Sequence, residues 1–166
     1  MTFWSNIADS ALEPKRNYRF RLKDGENTTW WWAKSVDKPS FDVSSKEYQL
    51  INHKFNFPGI VTWKPISIIA VDIGDVSNVL MNELEDFGYN NPSSGTAMSG
   101  LKKVIEDSSI ANNMIIQQLD GDGSPLETWK LKGAFIKNVN FAKLDYSSDE
   151  ISEITIEIAY DFATFE

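Results

Sequence analysis

Hydrophobic residues along this chain recur mostly with a period of two, the signature of half-buried strands. From Asn17 to Lys23, Tyr18, Phe20 and Leu22 fall on one face and Arg19, Arg21 and Lys23 on the other. Asp24-Gly25 supplies turn chemistry, and Thr28 to Val36 then reads as a second strand carrying Trp30, Trp31 and Trp32. Glu47 to Phe57 alternates less cleanly, through Tyr48 and Leu50 and then Ile51, His53, Phe55 and Phe57, and Pro58-Gly59 punctuates it. Ile66 to Ile73 follows as an apolar strand of the buried type. The period then changes. Val76, Val79, Leu80, Leu84 and Phe87 share one helical face, with Asp75 suited to the N-cap and Gly88 to the C-terminal stop. Beyond a loop rich in Asn, Ser and Gly (Asn90 to Gly95), Leu101 to Ile105 predicts a short helical turn.

Strand signals return at Asn113 to Leu119 and at Leu126 to Phe135, joined by a hairpin loop at Asp120-Gly121-Asp122-Gly123. The last strand is the clearest. Ile154, Ile156, Ile158, Tyr160 and Phe162 point one way, while Thr155, Glu157, Ala159 and Asp161 point the other, and the Ile154, Ile156 and Ile158 face is predicted to pack inward. About six to seven antiparallel strands and one α-helix predict a mainly β fold, a sandwich or barrel with the helix packed against it.

Composition narrows this little. The 166 residues, 42% of them apolar and 24% charged, suit one domain spanning 1–166, with no linker or repeat to divide it. No apolar run is long enough for a membrane anchor, and Met1 to Lys15 lacks the basic start and apolar stretch of a signal peptide. Cysteine is absent, which removes disulfides and thiolate chemistry. Charge changes the picture more. A net −8, with no basic cluster longer than Lys15-Arg16 or Lys102-Lys103, argues against tight nucleic-acid binding.

Catalytic chemistry finds no footing in the pattern. The single histidine, His53, has no recognisable Ser/Asp partner by spacing and reads as structural or surface. It leaves too few ligands for zinc. Asp120 to Ser124 opens like a calcium loop, but position twelve is Leu131 rather than Glu, so a plain turn is the better reading. Glu83, Glu85 and Asp86 read as the solvated side of the helix. No catalytic, cofactor-binding or metal site is expected. Trp30, Trp31 and Trp32 put aromatic surface on both sides of their strand, which suits either a partner contact or burial within the chain.

Two ordered segment sets carry a resemblance. The first is Lys38-Pro39-Ser40-Phe41, then Tyr48-Gln49-Leu50-Ile51-Asn52-His53, then Phe57-Pro58-Gly59-Ile60-Val61-Thr62-Trp63. The second is Gly133-Ala134-Phe135-Ile136-Lys137-Asn138-Val139, then Leu144-Asp145-Tyr146-Ser147-Ser148-Asp149-Glu150-Ile151, closing with Ile154 to Phe162. Together they resemble the tail tube proteins of T-even-like contractile-tailed phages, in order and over nearly the whole length.

The resemblance implies a phage tail tube-like fold and a structural, non-enzymatic virion protein. Hexameric rings would stack into the inner tail tube and conduct DNA, without binding it tightly. The hairpin around Ser44 to Phe57 would touch the next ring through Lys46, Glu47, Tyr48, His53 and Lys54. Trp30, Trp31 and Trp32 become intersubunit candidates, and Glu157 and Asp161 face solvent or the lumen. Implied partners are further copies of the chain, sheath, tape measure and baseplate proteins. The location would be the virion tail, assembled in the host cytoplasm. Repeated round a ring, the charge of −8 makes an acidic bore that repels phosphates. Two readings stand beside it. One is a baseplate tube initiator or a tube protein of a related contractile injection or secretion system. The other is a stand-alone β-sandwich module that binds through the Trp30–Trp32 surface or the Asp120–Ser124 loop.

Overall fold

The computed structural model describes residues 14–25, 28–89, 100–101 and 113–166. The elements among them are β1 (Phe20–Lys23), β2 (Ala33–Val36), β3 (Ser40–Leu50), β4 (His53–Lys64), β5 (Ile66–Val71), α1 (Val76–Asp86), β6 (Ile115–Leu119), β7 (Pro125–Lys132), β8 (Phe135–Asn140), β9 (Glu153–Ala159) and β10 (Phe162–Phe165). Two four-stranded antiparallel sheets, ordered β1-β6-β7-β10 and β2-β5-β9-β8, face each other, while β3 and β4 pair only with one another. Among the described residues the fold is mainly β with one helix, as the change from a period of two to a helical period predicts.

The core follows from that alternation. On β5 and β9 the paired residues Ile66 and Ile158, Ile68 and Ile156, and Ala70 and Ile154 are all buried. The first sheet meets them with Leu22, Ile116 and Leu131, and α1 contributes Val76 and Leu80. Thr155 and Glu157 lie on the outward parity of β9, as read from the sequence.

Three predicted strands are shorter or divided, because the chain changes sheet inside them. The Thr28–Val36 segment is not one strand. Thr29 bridges to Lys23, the Ala33 amide turns back to the Trp30 carbonyl at 3.2 Å, and only Ala33–Val36 joins β5. The tryptophan run is therefore a corner between sheets. Leu126 to Phe135 breaks at Gly133, whose φ of 62° is left-handed, and separates β7 from β8. The final strand breaks at Tyr160 and Asp161, so β9 serves one sheet and β10 the other. Among the described residues these breaks and the long hairpin make ten strands of the expected six or seven.

Further corrections are local. Pro58-Gly59 does not end a strand but lies within β4. Asp75 occupies the N-cap in a helical conformation without a side-chain capping hydrogen bond, whereas Gly88 does take positive φ after the helix. Glu83 is 2% exposed and so is not part of a solvated face, although Glu85 is exposed. The Asp120 turn forms as read, its Oδ1 accepting the Asp122 and Ser124 amides at 2.9 and 2.8 Å. The Asn90–Gly95 loop and nearly all of the Leu101–Ile105 turn lie outside the described residues.

Candidate functional site

The chemistry-bearing residues do not converge on a cleft. Among the described residues no three His, Cys, Asp or Glu side chains gather as metal ligands, and no helix is long and apolar enough to cross a membrane. His53 is exposed, and its ring meets Phe55 edge-on at 4.7 Å. An open concavity of about 1060 Å³ lies beneath residues 142–153, lined by Lys34, Val71 and that segment's own side chains. Asp145 there titrates below its ordinary range because the Ser147 hydroxyl and amide hydrogen-bond to it, which is the geometry of a turn.

What stands out is the β3–β4 hairpin. Every residue of it is exposed except Trp63, and it pairs with neither sheet. Its strands of 11 and 12 residues span about 35 Å at ordinary strand rise. Ile51, at φ 52°, turns the tip. Midway, Val43 pairs with Val61 and Ser45 with Pro58, so Ser44 faces both Gly59 and Ile60 in a β-bulge. The Ser44 hydroxyl accepts the Ile60 amide at 2.8 Å. Lys46, Glu47, Tyr48, His53 and Lys54 all lie beyond this bulge, towards the tip, and Glu47 and Lys54 pair with each other at 2.6 Å.

The root of the hairpin is anchored to the body in two ways. Trp63 packs against the core, with Phe41 at 5.1 Å and Tyr160 at 5.9 Å between ring centroids. Burial raises the Tyr160 phenol above its ordinary pKa, and its hydroxyl lies near the Ser40 backbone without a well-formed hydrogen bond. The second anchor is Glu127 on β7, 5% exposed. It pairs with Lys38, two residues before β3, and with Lys15 from the N-terminal segment, while the Trp129 indole donates to it at 3.1 Å. Burial alone would raise its pKa, but bonds from Lys15, Lys38 and Trp129 bring it down to about 2. The sequence reading missed Glu127. Its one local signal is an acid on the same strand parity as the inward-facing Trp129 and Leu131.

The other predicted residues scatter. Trp30 is buried and stacks on Trp32 at 4.5 Å, its indole donating to Asp24 at 3.3 Å. Its ring belongs to the chain's own core, so of the three tryptophans only Trp31, 77% exposed, stands well out from the surface. Glu157 lies on the outer face of β9 and pairs with Lys137 at 3.0 Å. Asp161 is exposed on the β9–β10 link, where its amide donates to the Lys132 carbonyl at 3.0 Å. The sheet change at Tyr160 means that these two acids do not share one strand face.

Two sheets, one helix and a long exposed hairpin among the described residues define the class of architecture, and solved structures share this fold over 89% or more of the chain. The tube-terminating cap of the anti-feeding prophage matches with a TM-score of 0.72 at 17% identity, over 100% of this chain and 99% of that one. A chain of the sheath/tube terminator of the extracellular contractile injection system PVC matches at 0.69 and 18%, over 93% and 97%. Hcp1 from Flavobacterium johnsoniae matches more distantly, at 0.51 and 11%, over 89% and 94%. No family model matches the chain, and no curated protein matches it significantly. The fold is the one seen in these tube, terminator and Hcp proteins, the fold that the phage tail tube resemblance implies.

Proposed function

We propose that the chain is a non-enzymatic subunit of the inner tube of a contractile machine, a phage tail or an injection device built like one. Copies assemble as hexameric rings, and rings stack into a tube within a sheath above a baseplate. The observation that carries this reading is the exposed β3–β4 hairpin on a body whose fold matches tube and terminator structures end to end. A two-stranded ribbon is marginal in water unless something covers it, and a ring stacked above or below supplies that cover. In a phage the cargo would be DNA. With −8 per subunit, its phosphates would be repelled from the wall rather than bound.

A second reading is favoured by one match, since the 0.72 neighbour is a chain from the structure of a tube-terminating cap. A terminator or initiator would form one ring and stop. The stand-alone binding module is weakened by the burial of Trp30 and its stacking on Trp32, which leave no three-ring platform. Electron microscopy of the purified chain separates these readings: tubes support the first, isolated six-fold rings the second, and a monomer at high concentration opposes both.

A further inference from the structure

In an antiparallel ladder, directly paired residues share a face, and so do alternate residues along each strand. One face of the hairpin therefore carries Phe41 with Trp63 and Val43 with Val61 near the root. Towards the tip the same face carries Ser45 with Pro58, Glu47 with Asn56 and Gln49 with Lys54. The opposite face begins with Ser40 beside Lys64 and Asp42 beside Thr62. It continues with Lys46 beside Phe57, Tyr48 beside Phe55 and Leu50 beside His53. The apolar stripe thus changes sides at the Ser44 bulge. Each half closes its polar face with its own ion pair, Lys64–Asp42 at 3.0 Å near the root and Lys54–Glu47 at 2.6 Å near the tip.

The two apolar halves have different destinations. The root half reaches the chain's own body at Trp63, which packs on Tyr160, while Phe41, Val43 and Val61 stay about half exposed beside it. The tip half lies on the other side of the ribbon, where Tyr48, Leu50, Phe55 and Phe57 are between 43% and 59% exposed. We propose that this tip face, made of Lys46, Tyr48, Leu50, His53, Phe55 and Phe57, docks on a second copy of the chain. The face bearing Glu47, Gln49, Lys54 and Asn56 stays in water. This rests on the ring-stacking reading above, and it removes Glu47 and Lys54 from the contact set inferred from the sequence.

Charge favours a second copy as the occupant. The tip face carries Lys46 and His53 and no carboxylate, while the chain as a whole is −8. A copy also offers matching chemistry: Leu144, Tyr146 and Ile151 are exposed beside the exposed acids Asp145, Asp149 and Glu150.

The test compares the two faces in the full chain. Tyr48→Asp and Phe55→Asp each place a carboxylate on the tip face, and Gln49→Asp and Asn56→Asp place one on the other. All four sites are exposed, so circular dichroism and Tm should match the parent. Assembly followed by sedimentation and electron microscopy should lose stacking in the first pair, with the critical concentration raised about tenfold or more. The second pair should stay within about twofold of the parent. Equal effects from both faces, or normal assembly of Tyr48→Asp and Phe55→Asp, would overturn the face assignment while leaving the tube reading intact. A parent chain that never assembles would overturn both.

Discussion

Gly59 sits opposite Ser44 with no space for a side chain: a Cβ there would collide with the Ser44 hydroxyl and lie 3.1 Å from the Ser44 carbonyl oxygen. The hydroxyl cannot swing aside without releasing the Ile60 amide. This pair fixes the bulge, and the bulge decides which face of the hairpin is apolar at the tip. Gly59→Ala is expected to loosen the ribbon and leave the body alone. Hydrogen exchange should quicken about tenfold at amides between Val43 and Ile60, with little change in Tm. In Ser44→Ala/Gly59→Ala the colliding oxygen is gone, and exchange should fall part of the way back.

The Glu127 carboxylate ties Lys15 and Lys38 to one point on β7, joining the N-terminal segment to the hairpin root. Glu127→Gln removes both ion pairs and leaves two ammonium groups facing an amide. Chemical denaturation should show a loss of about 2 kcal/mol, reduced from the cost of a fully buried pair because both lysines are half exposed.

The same group gives a pH dependence. Its folded pKa is depressed from 4.5 to about 2, so its stabilisation is complete above 4.5 and is lost as pH falls towards 2. Titrating unfolding from pH 6 to 2 should show a parent-minus-Glu127→Gln difference that shrinks only below 4.5. A difference that disappears between pH 6 and 5 would contradict the clasp.

Asp24 holds the tryptophan corner, accepting the Thr28 amide at 2.8 Å and the Trp30 indole at 3.3 Å while itself buried. Asp24→Ala strands both donors and should cost roughly 1–3 kcal/mol. Tryptophan emission should shift to the red as water reaches Trp30.

At Tyr160 the ring matters more than the hydroxyl. Tyr160→Phe should stay within about 0.5 kcal/mol of the parent, since a buried hydroxyl without a good partner contributes little. Tyr160→Ala removes the surface on which Trp63 rests and should cost about 3 kcal/mol or more.

Much of this was legible in the chain. The Ile154, Ile156 and Ile158 alternation gave a buried strand because local period and tertiary burial agree there. The tryptophan run was not legible in this way: it reads as a strand with aromatic surface on both sides, but it forms a corner in which Trp30 and Trp32 stack and Trp31 stands out. What parity could not show is a change of sheet, since a strand that leaves one ladder for another keeps its alternation, as at Tyr160. Pro58-Gly59 misled for a related reason. The pair reads locally as a stop, and the hydroxyl that keeps the ladder going comes from Ser44, far away in sequence. Glu127 depends on Lys15 and Lys38, partners that no local pattern identifies.

The central claim is that this chain stacks by itself through its hairpin. Cryo-electron microscopy of the purified protein, concentrated without other components, tests it most directly. The account predicts six-fold rings stacked into tubes, with the Tyr48 and Phe55 face of each hairpin covered by the adjoining ring. A homogeneous monomer at high concentration, or stacked rings whose hairpins stand free, would contradict it.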